Sequence, residues 1–324
     1  MKKVLIIQTA FIGDVILSTP LIRAISELTT VQTVDVLVRK GNGSLLRNFP
    51  GISQVIEWDK QTSKFVGLLR ELKRIRRERY DTIINLQRFL ATGLLTGLSG
   101  APERIGFDKN PVSFLFTQRK PHQIGDGCHE TERNLSLIGL SKETTSIRPE
   151  LHPSQTDFAS AQDFKTGSYS CIAPCSVWFT KQVPSDKWLK LIQNISSSRK
   201  EELIYLLGGP DDSSTCEAIR TASKNPRVIS LAGKLSFLQT AALMQDARMN
   251  YVNDSAPLHI ASAMNAPVTA FFCSTVPEFG FGPLSDHANL REVNGLACRP
   301  CGLHGHLSCP KTHFRCANEL DMQS

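Results

Sequence analysis

The sequence predicts an α/β protein built as two doubly wound parallel sheets, one after the other along the chain. Three observations carry this. Short apolar, β-rich runs alternate with segments of helical periodicity from Val4 to Leu86. The same alternation restarts at Tyr169 and runs to Phe272. The chain of 324 residues is too long for one comfortable core and suits two domains of ordinary size.

The first strand is Val4–Ile7, a buried apolar run of the kind found in parallel sheets. Val15, Leu17, Leu21, Ile22 and Ile25 then recur at helical spacing and predict a helix from about Asp14 to Leu28. Val34–Val38 is a second strand, and Gly41-Asn42-Gly43 turns into a further helix. Gln54–Trp58 is a third strand, Lys64–Arg79 a basic helix, and Asp81–Leu86 a fourth strand. That order implies right-handed crossovers and a parallel sheet. After Arg104-Ile105-Gly106-Phe107 the pattern loosens until a helix over His129–Leu140, and the prolines of Arg148–Ser154 mark an interdomain passage. The expected domains are 1–155 and 156–324.

In the second series the expected strands are Tyr169–Pro174, Leu203–Leu207, Val228–Leu231, Met249–Val252 and Val268–Phe272. Helices over Pro184–Ser196, Ser213–Ser223, Ser236–Gln245 and Pro257–Met264 separate them.

Composition is that of a globular protein, 41% hydrophobic and 21% charged. Met1-Lys2-Lys3 leads straight into a strand and no apolar run approaches the ~20 residues of a membrane span, so a cytoplasmic protein is expected. The net charge of +7 is concentrated in Lys64–Arg79. Such a stripe is a solvated helix face, or it meets a phosphorylated or membrane-surface partner. No nucleic-acid-binding motif accompanies it, and nucleic acid is not expected as a partner.

Four strand ends carry the candidate chemistry. Gly13-Asp14 stands where the first strand turns into the first helix, the crevice where open α/β sheets bind ligands. Gly13 permits a tight turn, and Asp14 is a helix cap or a base. In the second domain, Ser176 to Pro184 follows the first strand and offers Thr180 and Lys181 to a phosphate. Gly208-Gly209-Pro210-Asp211 offers a carboxylate for a ribose hydroxyl, as in dinucleotide sites. Asn253-Asp254-Ser255-Ala256-Pro257-Leu258-His259 opens a helix whose N–H groups favour an anion. The three loops of the second domain together describe a nucleotide-diphosphate pocket.

These stretches, with Leu231-Ala232-Gly233-Lys234 and Arg104-Ile105-Gly106-Phe107, resemble glycosyltransferase family nine, the ADP-heptose:lipopolysaccharide heptosyltransferases, in the right order over nearly the whole chain. The resemblance implies a GT-B fold, two Rossmann-like domains facing across a cleft. It also implies inverting, metal-independent transfer of heptose from ADP-heptose to the lipid A–Kdo inner core of lipopolysaccharide. Asp14 would be the base and Lys181 the donor-phosphate lysine. Ser176, Thr180, Asp211, Asp254, Ser255, Ala256 and His259 would bind donor. Gly13, Arg104, Lys64, Arg70 and Lys73 would serve a phosphorylated, lipid-linked saccharide acceptor at the inner membrane surface. Ala256 and Cys175 stand where the family commonly has Gly, and Ala256 would be strained if its position demanded positive φ. A related enzyme using another nucleotide sugar, or a non-catalytic nucleotide-binding protein, are the alternative readings. No cofactor is required for the transfer. Cys298, Cys301, Cys309 and Cys316, interspersed with His304, His306 and His313, are either reduced thiols packing a loop or a structural zinc site.

Overall fold

The computed structural model describes residues 2–60 and 64–323. It divides into two compact units, Met1–His152 and Pro153–Ser324.

The first unit runs β1 (Lys2–Gln8), α1 (Ile12–Leu17), α2 (Thr19–Ser26), β2 (Val31–Arg39), β3 (Gln54–Trp58), α3 (Lys64–Glu78), β4 (Thr82–Asn85), α4 (Leu90–Gly97), β5 (Glu103–Phe107), β6 (Gln118–Lys120) and α5 (Glu130–Ser136). Its sheet has six strands in the order β3-β2-β1-β4-β5-β6. All pairings are parallel. Strand order reverses between β1 and β4, so the loop after β1 opens at the topological switch point. Leu5, Ile7, Leu37, Ile83 and Ile75 pack one face of the sheet against α3. Tyr80 closes that layer and donates its hydroxyl to the buried Asp35 carboxylate at 2.7 Å.

The helix expected over 14–28 is two helices. At Ser18 the backbone N–H donates to the carbonyls of Asp14 and Val15, the hydroxyl also bonds Val15 O, and the second helix starts at Thr19 with Pro20 in its first turn. The chain after Gly43 makes only a 3₁₀ turn, Gly43–Leu46. The helix expected over 129–140 spans only Glu130–Ser136. Helix α4 and strand β5 follow β4 where no element was expected, and strand β6 lies in the stretch where the pattern loosens. Strand β6 is Gln-Arg-Lys on a sheet edge, and an edge strand with polar side chains carries no apolar signature.

The second unit runs α6 (Gln155–Gln162), β7 (Tyr169–Ala173), α7 (Ser185–Ser198), β8 (Leu203–Leu206), α8 (Ser213–Ser223), β9 (Val228–Ser230), α9 (Phe237–Gln245), β10 (Met249–Asn253), α10 (Ala256–Ala263), β11 (Val268–Phe272), β12 (Ala288–Glu292) and the short α11 (Arg315–Asn318). This sheet is also parallel and six-stranded, ordered β12-β11-β10-β7-β8-β9. Helix α7 buries Trp188, Leu191, Ile192 and Ile195, an i, i+3, i+4, i+7 stripe, on Ile172, Ile204 and Phe271 of the sheet. The switch point here lies between β7 and β10.

Candidate functional site

In the first unit the loop Thr9–Phe11 leads into α1, which carries Asp14. Three neighbouring strand ends hold it. From beyond β2, Asn42 Nδ2 donates to Ala10 O at 3.0 Å. From beyond β3, Lys60 Nζ donates to Thr9 O and Oγ1 at 3.0 and 2.9 Å. From beyond β4, Gln87 Nε2 donates to Gln8 Oε1, which also accepts from Ala10 N at 3.3 Å. Asp14 is the third residue of α1, and its Oδ2 accepts the Phe11 N–H at 3.2 Å. It therefore caps its helix, and it does so half-buried.

That setting raises its proton affinity. Burial and the charge of Glu130 push the Asp14 carboxyl up to about 6, against the opposing N–H bonds of Phe11 and Asp14 and the charge of Arg88. Glu130 stays ionised. Burial works against it, but hydrogen bonding to His122 and the charges of His122 and Arg133 hold its carboxyl below the ordinary range. Arg133 reaches Glu130 Oε2 at 2.8 Å. A carboxyl with a raised pKa in the crevice of a switch point has the properties of a general base.

Gly13 lies inside α1 rather than in a left-handed turn. Arg104 is turned to the backbone: its guanidinium donates to Leu115 O at 3.0 Å and to Ala101 O. Arg70 and Lys73 stand exposed on α3. Lys64 opens that helix, and its side chain lies outside the described residues. Lys60 and Arg88, which the sequence reading did not single out, approach the Asp14 loop more directly. Isolated cations after a strand have no pattern by which to find them.

In the second unit the switch point brings two expected stretches together. Lys181 Nζ lies 2.7 Å from Asp254 Oδ2, with both side chains largely buried. Thr275 Oγ1 donates to the same carboxylate oxygen at 2.6 Å. Asn253, fully buried, pins the surrounding loops. Its Oδ1 accepts Val183 N at 3.0 Å and its Nδ2 donates to Pro174 O at 2.8 Å. Asn253 and Thr275 are positioning residues that the motif alone did not mark.

Ser255 caps α10 without a side-chain cap bond, so its hydroxyl is not spent on the helix N–H groups. Ala256 is the first residue of α10 and has no positive φ, so the strain expected of an alanine there does not arise. His259 is buried one turn on, edge-to-face with Phe281. Ser176 O accepts from Gln182 Nε2 at 2.6 Å. Asp211 sits exposed in a 3₁₀ turn, Pro210–Asp212, at the end of β8, while its neighbour Asp212 accepts Gly209 N at 2.8 Å. Thr180 departs from expectation. It is buried, and its hydroxyl is engaged within the protein by His306 N–H at 2.8 Å and Ser274 Oγ at 3.0 Å.

A cation, a buried carboxylate and a helix N-terminus thus meet at one switch point, where N–H groups and a lysine have the chemistry to receive an anion. The family model for glycosyltransferase family 9 (heptosyltransferase) matches residues 68–306. The chain belongs to glycosyltransferase family 9. This family member is an enzyme, a glycosyltransferase. It is 27% identical over 283 residues to lipopolysaccharide heptosyltransferase 3 of Escherichia coli, covering 82% of each chain. Its structure is similar to that of E. coli ADP-heptose LPS heptosyltransferase II, with TM-score 0.77, 19% identity and 98% of each chain covered. It is also similar to E. coli heptosyltransferase WaaC with ADP, with TM-score 0.69, 20% identity, and 89% and 92% covered. Those likenesses show the fold, GT-B type with two Rossmann-like domains.

All nine cysteines are free thiols. In the tail, burial and the charges of Cys298 and Cys309 push the Cys301 thiol up, and its Sγ–H donates to Cys298 O at 3.1 Å. Burial, with Cys301, Cys309 and Cys298 nearby, pushes Cys316 up to about 11. Among the described residues, no group of three or more His, Cys, Asp or Glu side chains is arranged to hold a metal ion. Nor is any helix among them long and apolar enough to cross a membrane.

Proposed function

We propose that this enzyme transfers heptose from ADP-heptose to the lipid A–Kdo inner core of lipopolysaccharide, with inversion and without a metal ion. The observation that carries the reading is Lys181 held against Asp254 at the mouth of α10, a ready site for a diphosphate. The names of the relatives support heptose as the sugar and lipopolysaccharide as the class of acceptor. Asp14 takes the proton from the acceptor hydroxyl as that oxygen bonds the anomeric carbon. The bond from that carbon to the β-phosphate oxygen breaks on the opposite face, and ADP leaves with the electron pair. Lys181 and the α10 N–H groups meet the charge on the leaving diphosphate, which gives the reaction its electrophilic assistance. Asp211 takes the ribose.

Calorimetric titration with ADP, ADP-heptose and UDP-sugars tests the donor class. The adenine nucleotides are expected to bind at least tenfold more tightly, and equal affinity for UDP-sugars would sink the assignment.

The exposed face of α3 fits the lipid surface that carries such an acceptor. Phe65 is 82% exposed, Val66 57% and Leu69 56%, and Arg70, Lys73 and Arg77 continue the same exposed side. Apolar side chains beside cations match an anionic bilayer surface, where each cation contributes about 1 kcal/mol. Sedimentation with vesicles containing phosphatidylglycerol is expected to retain the enzyme. Replacing Arg70, Lys73 and Arg77 by Gln should weaken binding by about 10²-fold. Equal binding to neutral phosphatidylcholine vesicles would exclude the electrostatic part of this contact.

A further inference from the structure

The cysteine-rich tail touches the donor loop more closely than a terminal appendage would. Thr180 and His306 exchange two hydrogen bonds: Thr180 N–H donates to His306 O at 3.1 Å, and His306 N–H donates to Thr180 Oγ1 at 2.8 Å. Thr180 is the residue before Lys181 and is almost wholly buried. Ser274, from the loop after β11, joins the same knot through its N–H to Thr180 O at 3.3 Å and its hydroxyl to Thr180 Oγ1 at 3.0 Å. The tail is tied back once more, by Cys301 N–H to Ser274 O at 2.9 Å, and His306 Nε2 against Cys301 O at 2.9 Å closes the segment on itself.

Gly305 is the tightest point. A Cβ there would fall inside the contact distance of Trp178 Cβ, 2.9 Å from Trp178 Cγ and 3.0 Å from Lys181 Cγ. Its backbone carries no positive φ, so glycine is required by space rather than by conformation. The tail backbone thus packs on the stem of Lys181, while Asp254 holds the other end of that side chain.

We infer that the tail segment Cys301–His306 is a wall of the donor site, and that Gly305 and His306 are positioning residues that set where Lys181 presents its ammonium group. The inference rests on the donor role of Lys181 given above. It explains why this stretch, irregular and partly exposed, is held by backbone hydrogen bonds rather than by a core of its own. An ammonium displaced by about 1 Å from a developing charge loses much of its effect, so small changes in the tail should reach the chemistry.

The test uses the full chain and two independent perturbations. Gly305→Ala places a methyl group against Trp178 and Lys181. Thr180→Val removes the hydroxyl that receives His306 N–H while keeping the shape, and Thr180→Ser restores it. Gly305→Ala and Thr180→Val are expected to weaken ADP binding about tenfold and to lower kcat by up to about 10²-fold, with Thr180→Ser close to the parent. Leu307→Ser, on an exposed tail side chain, should leave both unchanged. If Gly305→Ala does not fold, the Val and Ser variants at Thr180 decide. Parental ADP affinity and kcat in folded Gly305→Ala or in Thr180→Val would overturn the inference. Lys181→Met is titrated in parallel: parental ADP affinity there would remove the donor reading itself rather than the role of the tail.

Discussion

Replacing Asp14 by asparagine is expected to lower transfer by about 10²–10⁴-fold while leaving ADP binding intact, because it removes a proton acceptor and no donor contact. The parent enzyme should lose kcat/KM as pH falls, with a midpoint near the carboxyl's raised value of about 6. Stability should move the other way. A carboxyl raised in the folded state binds its proton more tightly there than in the unfolded chain. Its contribution to stability is therefore full below about pH 4, falls between pH 4 and 6, and is at its least favourable above pH 6. Asparagine escapes that cost and can still accept the Phe11 N–H. Asp14→Asn should thus be more stable than the parent by on the order of 1–3 kcal/mol at pH 7, with the difference vanishing near pH 4. Urea unfolding at the two pH values, alongside turnover, tests both halves. Retained turnover would leave Asp14 as a helix cap only. Equal stabilities at pH 7 would show that its carboxyl is not raised.

Lys181→Met carries the second large effect. Loss of the charge facing the leaving diphosphate is expected to lower kcat by about 10²–10³-fold, the scale of removing one preorganised electrostatic partner. It also strands Asp254, whose side chain is only 6% exposed and, among the described residues, keeps Thr275 as its side-chain donor. An unpaired buried carboxylate costs about 3–5 kcal/mol. Adding Asp254→Asn to Lys181→Met removes the stranded charge and should recover most of that stability without recovering turnover. This double variant separates the two roles of the pair. If Lys181→Met turns over normally and only stability suffers, the ion pair is structural and the charge on the diphosphate is met elsewhere.

Much of this was legible in the residues. Runs such as Val4–Ile7 and Val268–Phe272 are buried along their whole length, so periodicity locates them. Helix α7 reveals itself by its four-residue apolar stripe. The misses share a cause. Strand β6 and strand β12, at opposite sheets' edges, are polar or exposed and owe their extended form to pairing with β5 and β11. The break at Ser18 comes from a hydroxyl taking over a helical carbonyl, which no hydrophobic pattern records. Thr180 read as a ligand contact because it adjoins Lys181, but the 3₁₀ turn Phe179–Lys181 directs it inward to the tail.

The sequence by itself determined which strand ends offer groups for the proposed chemistry: Asp14 after β1, Lys181 after β7, Asp254 before α10. Local spacing suffices for that, since a strand, a short loop and a helix start are all written within a dozen residues. Only the tertiary structure decided which of these ends are neighbours. Strand order follows from hydrogen bonding between segments far apart in the chain, and it set β7 beside β10 rather than leaving them at separate edges. That pairing brings Lys181 to Asp254, and the tail returns to Thr180 beside them from a side that no motif announced.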